Sequence, residues 1–154
     1  MSLSVVVYKE KKEKDFRMVI IPSGQHKIGV TQRKDYGIVS YLNKNNVEKI
    51  GEFVLWALQE SDEKMIENSA EVDWGKQYFN CGSRRVAIEY NLIDFEYYKE
   101  EYILILLMKD GYGYSPFKDG DGNGCRYVFK EKPTALELGR KIMEMFDFKE
   151  NYDR

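Results

Sequence analysis

An α+β fold, one domain with a mostly antiparallel sheet and two main helices at about 46–60 and 134–147, is what the sequence predicts. Three observations lead there. Short runs rich in β-branched and aromatic residues lie on either side of charged or glycine-containing turns, which is the pattern of hairpins. Two stretches carry apolar residues at spacings of three and four, which is the pattern of half-buried helices. No Ser/Gly-rich linker or repeat divides the 154 residues, a length that builds one substantial core rather than two.

The elements follow in order. Ser4–Glu10 and Phe16–Ile21 flank Lys11-Lys12-Glu13-Lys14-Asp15 and read as a first hairpin, because β-branched side chains fit a pleated surface. Lys27–Gln32 and Gly37–Leu42, joined through Arg33-Lys34-Asp35-Tyr36, read as a second. Asn45 or Asn46 can cap the first helix, since a short side-chain oxygen accepts a backbone N–H left without a partner in the first turn. Val47, Ile50, Phe53, Val54, Ala57 and Leu58 share one face through about Glu60, leaving Leu55 and Trp56 beside the stripe. Ser61–Ala70 is expected to add a short helix. Arg85–Tyr90 alternates, as do Ile93, Phe95 and Tyr97 against Asp94, Glu96 and Tyr98, up to a turn at Lys99-Glu100-Glu101. Tyr102–Met108, apolar on both faces, is expected to be a central covered strand. Cys125–Lys130 is a further strand, approached through the glycine-rich stretch 110–124. Thr134-Ala135-Leu136-Glu137 is a capping box that opens the last helix, with Leu138, Ile142, Met145 and Phe146 inward. Residues 149–154 are expected to fray as a tail.

Several chemistries find no support. A single histidine, His26, rules out a His-rich metal site within one chain and reads as solvent-facing or hydrogen-bonded rather than as a general base. Cys81 and Cys125 have no CxxC spacing and read as two reduced thiols. Arginines follow Cys81 at 84 and 85, but the phosphatase spacing would need arginine where Ala87 stands. Neither a phosphate-binding Gly-x-x-x-x-Gly-Lys-Ser/Thr loop nor a Gly-x-Ser-x-Gly elbow is present. Asp119, Asp121 and Asn123 alternate like the first oxygens of a calcium loop, a weak candidate: twelfth in the count stands Lys130, not the bidentate glutamate calcium needs. Asp-Gly, Asp-Gly and Asn-Gly in that stretch read better as tight turns. No cofactor or metal is expected. The longest apolar run, Tyr102–Met108, is too short for a bilayer and no leader is recognised, so the expected setting is cytoplasmic, without a membrane partner.

Charge is unevenly distributed beneath the overall −2. Residues 1–50 carry ten Lys/Arg against five Asp/Glu, and residues 51–110 carry six against thirteen. Tyrosines are interleaved with carboxylates in Asp94-Phe95-Glu96-Tyr97-Tyr98-Lys99-Glu100-Glu101-Tyr102. Tyrosine offers contact area with few rotors to freeze, and an acidic field speeds encounter with a basic partner. The expectation is therefore a protein-binding module, of the inhibitor or immunity type, that neutralises a basic protein such as a toxin nuclease. Its candidate contact residues are Asp94, Glu96, Tyr98, Glu100 and Glu101, with Trp56 and Trp74 secondary. Nucleic-acid binding is the first alternative, with Lys9, Lys11, Lys12, Lys14, Lys27, Arg33 and Lys34 on phosphates and Tyr8, Phe16 and Tyr36 stacking on bases. A small enzyme of unknown reaction is the second, and homodimerisation through an open strand edge is compatible with any of these.

Overall fold

The computed structural model describes residues 2–25, 31–64 and 75–154. Among them are eight strands: β1 (Ser2–Glu10), β2 (Phe16–Gln25), β3 (Thr31–Arg33), β4 (Ile38–Leu42), β5 (Tyr90–Tyr98), β6 (Glu101–Asp110), β7 (Gly113–Pro116) and β8 (Arg126–Phe129). Helices are α1 (Val47–Glu60), the short α2 (Ser83–Glu89) and α3 (Ala135–Tyr152), with a π-helical turn at Gly75–Phe79. This is the expected α+β domain with a mostly antiparallel sheet.

The first strand lies at the centre. β1 pairs antiparallel with β2 on one side and β5 on the other, and β6 follows β5. Each outer edge is shared by two short strands. β2 takes β4 along Phe16–Ile20 and β3 along Ser23–Gln25. β6 takes β8 along Tyr102–Ile105 and β7 along Leu107–Asp110. Between these, Leu106 donates to the Cys125 carbonyl at 3.0 Å and accepts from the Phe117 N–H at 2.8 Å, so the edge stays bonded across the change of strand.

Alternation along the strands divides the apolar residues between two cores. One face carries Val5 and Val7, Phe16, Met18 and Ile20, Ile93 and Phe95, and Leu104 and Leu106, all covered by α1 and α3. The other carries Tyr8, Val19, Ile21 and Leu92, covered in part by Tyr78 of the π turn and Val86 of α2. Phe79 stands edge-on between Tyr8 and Tyr90, 4.9 Å from each ring. Arg17 anchors this cover, donating to the Tyr90 hydroxyl at 3.1 Å and to the Tyr78 carbonyl. Cys81 packs against this second core and Cys125 against the first, and both are free thiols.

Helices α1 and α3 cross with their backbones touching. A Cβ on Gly51 would stand 1.7 Å from the Ala135 carbonyl oxygen, and one on Gly139 would stand 1.9 Å from that of Val47. The capping box at the start of α3 is formed: the Thr134 hydroxyl accepts the Glu137 N–H at 3.2 Å while Glu137 accepts the Thr134 N–H at 3.3 Å.

Several local expectations are corrected. β3 and β4 do not pair with each other as a second hairpin; both add to β2. Residues 85–89 are helical, and the strand begins only at Tyr90, because Val86 is drawn down onto the second core while Ile88 is left exposed. The approach 110–124 contains β7. α3 does not end near residue 147 or fray from 149; it runs to Tyr152. There Phe148 and Tyr152 meet Phe117 edge-on at 5.6 and 5.0 Å, and Glu150 is tied to Lys9. Asn46 precedes α1 as expected, but its side chain accepts the Asn43 N–H at 2.9 Å instead of a helix N–H. The short helix expected over Ser61–Ala70 is not present at 61–64, and its remainder lies outside the described residues, as do His26, Lys27 and Trp74.

Candidate functional site

Period-two alternation sets the site. In β5 the odd residues Ile93, Phe95 and Tyr97 turn toward the helices, where Tyr97 meets Tyr102 at 4.8 Å and Phe95 meets it at 6.3 Å. Asp94, Glu96 and Tyr98 consequently share the opposite face. Across the β5–β6 register Glu101 faces Tyr98 on that same side, and Glu100 lies in the turn. Lys99 and Glu100 both have positive φ, 50° and 66°, as a two-residue primed hairpin turn requires. Four of the predicted contact residues thus form one strip along the hairpin, with Glu100 at its tip. Tyr98 is 44% exposed, and Glu101 is paired with Lys130 at 2.8 Å.

Trp56 does not join them. It stands on α1, the layer behind the sheet, with Tyr36 edge-on at 6.3 Å. The basic surface considered for nucleic acid is also dispersed. Lys9 is 1% exposed inside the first core, Tyr8 and Phe16 are buried, and Lys34 is paired with Asp62 at 2.9 Å. Lysine at position 9 alternates with Tyr8 and so faces the helices, where Glu150 receives it.

Two adjoining clefts, about 460 and 270 Å³, open on the second face and share Val6, Arg33 and Asp94. The larger has an apolar floor that includes Val86, Leu92 and Leu107, with Tyr8 and Tyr114 as polar-tipped walls. The smaller is more polar, lined by Ser4, Ser23 and Glu96. Asp94 stands between them, its Oδ1 accepting from the Ser4 hydroxyl at 3.3 Å. Burial, reinforced by the neighbouring Glu96 carboxylate, pushes the Asp94 carboxyl up to about 6, against the pull of Ser4 and Arg33. Burial likewise pushes the Tyr8 hydroxyl up to about 12, although the Arg33 guanidinium, 5.1 Å over its ring, acts the other way. Arg33, Ser4, Tyr8 and Tyr114 were not singled out with Asp94 from the sequence. With Asp94 they come from four strands, β1, β3, β5 and β7, and only the sheet order β3-β2-β1-β5-β6-β7 unites them.

The raised Asp94 pKa has a measurable consequence. Because the folded chain holds this proton more tightly than the unfolded chain, the associated stabilisation is complete below pH ~4 and is lost as pH rises through about 6. Asp94→Asn retains a donor toward Glu96 and removes the buried charge. It should stabilise the protein at pH 7 by roughly 2 kcal/mol and flatten the pH 4–6 dependence of denaturant midpoints, with no gain at pH 3.5. An equal gain at both pH values would assign the effect to packing.

The loop at 119–123 closes as a turn. Asp119 Oδ1 accepts the backbone N–H groups of Asp121 and Asn123, each at 2.9 Å, and Gly122 takes a φ of +82°. These bonds hold the Asp119 carboxylate below its ordinary pKa. Among the described residues no group of three His, Cys, Asp or Glu side chains is placed to hold a metal, and no helix is long and apolar enough to cross a membrane.

Fold and site together define a curled antiparallel sheet backed by two helices, with a cleft-bearing acidic face on its other side. No family model and no curated protein sequence matches the chain. Solved structures do share the fold. A Neisseria meningitidis protein of unknown function aligns at 12% identity and a TM-score of 0.63, over 93% of this chain and 92% of its own. A chain of the CdiA-CT/CdiI toxin and immunity complex from Yersinia pseudotuberculosis aligns at 10% identity, also with a TM-score of 0.63, over 97% of both chains. At these identities the likeness is one of fold.

Proposed function

We propose that this chain is a protein-binding module of the inhibitor or immunity type, one that neutralises a basic protein such as a toxin nuclease through the acidic face of the β5–β6 hairpin. The observation that carries the reading is the gathering of Asp94, Glu96, Tyr98 and Glu101 on one face, with Glu100 at its tip, beside a polar cleft of about 270 Å³. A shared fold with a member of a toxin and immunity complex supports it.

The chemistry is that of a cation acceptor. Asp94 and Glu96 form a carboxylate pair, and burial together with the Glu96 charge raises the cost of ionising Asp94. A lysine or arginine side chain entering the cleft relieves that repulsion and recovers more than it would at an open surface. Tyr98 supplies rigid contact area at the exposed end, where Lys99 stacks on its ring at 5.3 Å. Covering a nuclease's cationic substrate cleft in this manner blocks it without catalysis.

Charge reversal tests the reading. The Glu96→Lys/Glu100→Lys/Glu101→Lys variant, used as tagged bait beside the parent in lysate of the native cell, is expected to lose a single stoichiometric basic protein that the parent captures. Its affinity should fall by at least ~100-fold, since like charges set opposite each other cost several kcal/mol. Its melting temperature should change little, because exposed pairs such as Glu101–Lys130 contribute weakly. Undiminished capture by the variant would remove this face from the proposal.

A further inference from the structure

The larger of the two clefts, about 460 Å³, has no part in the hairpin reading and carries a chemistry of its own. Three charged groups reach it from different strands: the Asp94 carboxylate from β5, the Arg33 guanidinium from β3 and the Lys109 ammonium from β6. Each is open to a ligand, Asp94 and Arg33 being half-buried and Lys109 exposed. None of the three forms an ion pair among the described residues. Arg33 lines the same two clefts as Asp94, yet it does not neutralise the carboxyl, which stays above its ordinary pKa. Both cations are placed by rings of the wall, Arg33 5.1 Å from the Tyr8 ring and Lys109 5.4 Å from the Tyr114 ring. Val6, Val86, Leu92 and Leu107 supply the apolar remainder of the lining. A carboxylate that costs stability, kept in a cleft without a cation of its own, is the pattern of a ligand site.

We propose that the larger cleft binds a free α-amino acid with a large apolar or aromatic side chain, its ammonium on Asp94, its carboxylate facing Arg33 and Lys109, and its side chain on the apolar floor. Charge complementarity selects this class. Opposite charges on adjoining walls call for a ligand with both signs at one end, and the floor calls for an uncharged remainder. A simple amine would leave the cations unanswered, and a simple carboxylate would leave the partly buried acid unanswered. Ser4 donates to Asp94 Oδ1 at 3.3 Å, and an ammonium, which can only donate, takes lone pairs that remain. The volume is that of a small-ligand site and accommodates the bulk of a leucine, phenylalanine or tryptophan. This inference goes beyond the hairpin reading and does not rest on it, since Glu96, Glu100 and Glu101 line no part of the larger cleft. Asp94 is common to both, so a bound amino acid and a partner's cation compete for it.

Calorimetric titration with L-phenylalanine, hydrocinnamate and phenethylamine tests the assignment, because the last two each lack one charge of the first. Saturable binding of L-phenylalanine is expected, with each analogue at least ~10-fold weaker. Asp94→Asn should weaken L-phenylalanine by at least ~10-fold while binding hydrocinnamate no more weakly than the parent does. Arg33→Gln should weaken L-phenylalanine to a similar degree while binding phenethylamine no more weakly. That crossed pattern marks direct contacts, since a damaged fold would weaken every ligand. Saturable binding by none of L-phenylalanine, L-leucine and L-tryptophan up to about 10 mM would overturn the site. Phenethylamine binding as tightly as L-phenylalanine would overturn it too, leaving a receptor for cations alone. These titrations contain no protein partner, so failure here and failure of partner capture are separate results.

Discussion

Glu150→Ala is expected to destabilise the protein by about 3–5 kcal/mol, a large loss for one residue on the last helix. The carboxylate matters because of what it meets. Lys9 enters the first core from the central strand, with its Nζ 2.5 Å from Glu150 Oε1, 3.0 Å from each of the Glu10 and Lys12 carbonyl oxygens, and 4.4 Å from the Phe16 ring centroid. Deleting Glu150 leaves that ammonium buried with neutral acceptors only, and the uncompensated charge dominates the cost. Removing both charges is a different experiment. In Lys9→Met/Glu150→Leu no buried charge remains and the methionine stem fills the lysine's path, so most of the loss should be recovered. Denaturant unfolding of the parent, the single and the double variant measures the two effects; a single-variant loss below about 1 kcal/mol would show the pair to be an ordinary surface contact.

Gly139→Ala should cost about 3 kcal/mol, with the sign opposite to intrinsic helix preference. In a solvated helix interior the same change gains about 1 kcal/mol. Here the new methyl would meet the Val47 carbonyl oxygen, which is backbone and cannot turn aside, so α1 and α3 must separate. Separation also opens the contact of Gly51 with Ala135, a few residues along the same crossing. Gly51→Ala should therefore be similarly damaging, and the double variant should lose much less than the sum, because the first substitution has already parted the helices. Thermal or denaturant unfolding of the three variants checks this, and additive losses would place the two contacts in independent regions.

Elements with one dominant periodicity were legible in the sequence. The face of α1, the capping box of α3 and the alternation of β5 follow from local spacing alone, and these three position the acidic strip. What escaped depends on partners distant in sequence. Residues 85–89 alternate as a strand would, yet the second core claims Val86 from a helix. Lys9 resembles its exposed neighbours Lys11 and Lys12, and only Glu150 makes its burial tolerable. The two strands at each sheet edge share a partner instead of pairing together, which local turn residues do not encode. Asp94 was singled out for its charge, but its proximity to Arg33 and Ser4 arises from the sheet order.

The central position of β1 has a consequence for synthesis. Its partner β2 follows at once, whereas Asp94 of β5, which accepts from the Ser4 hydroxyl on the strand's other side, is 90 positions later. At translation rates of roughly 5–20 residues per second, one edge of the middle strand waits about 5–20 seconds for its permanent neighbour. During that interval the nascent hairpin presents Val5 and Val7 beside unpaired backbone, which is the form a chaperone or a second nascent chain on the same message would meet.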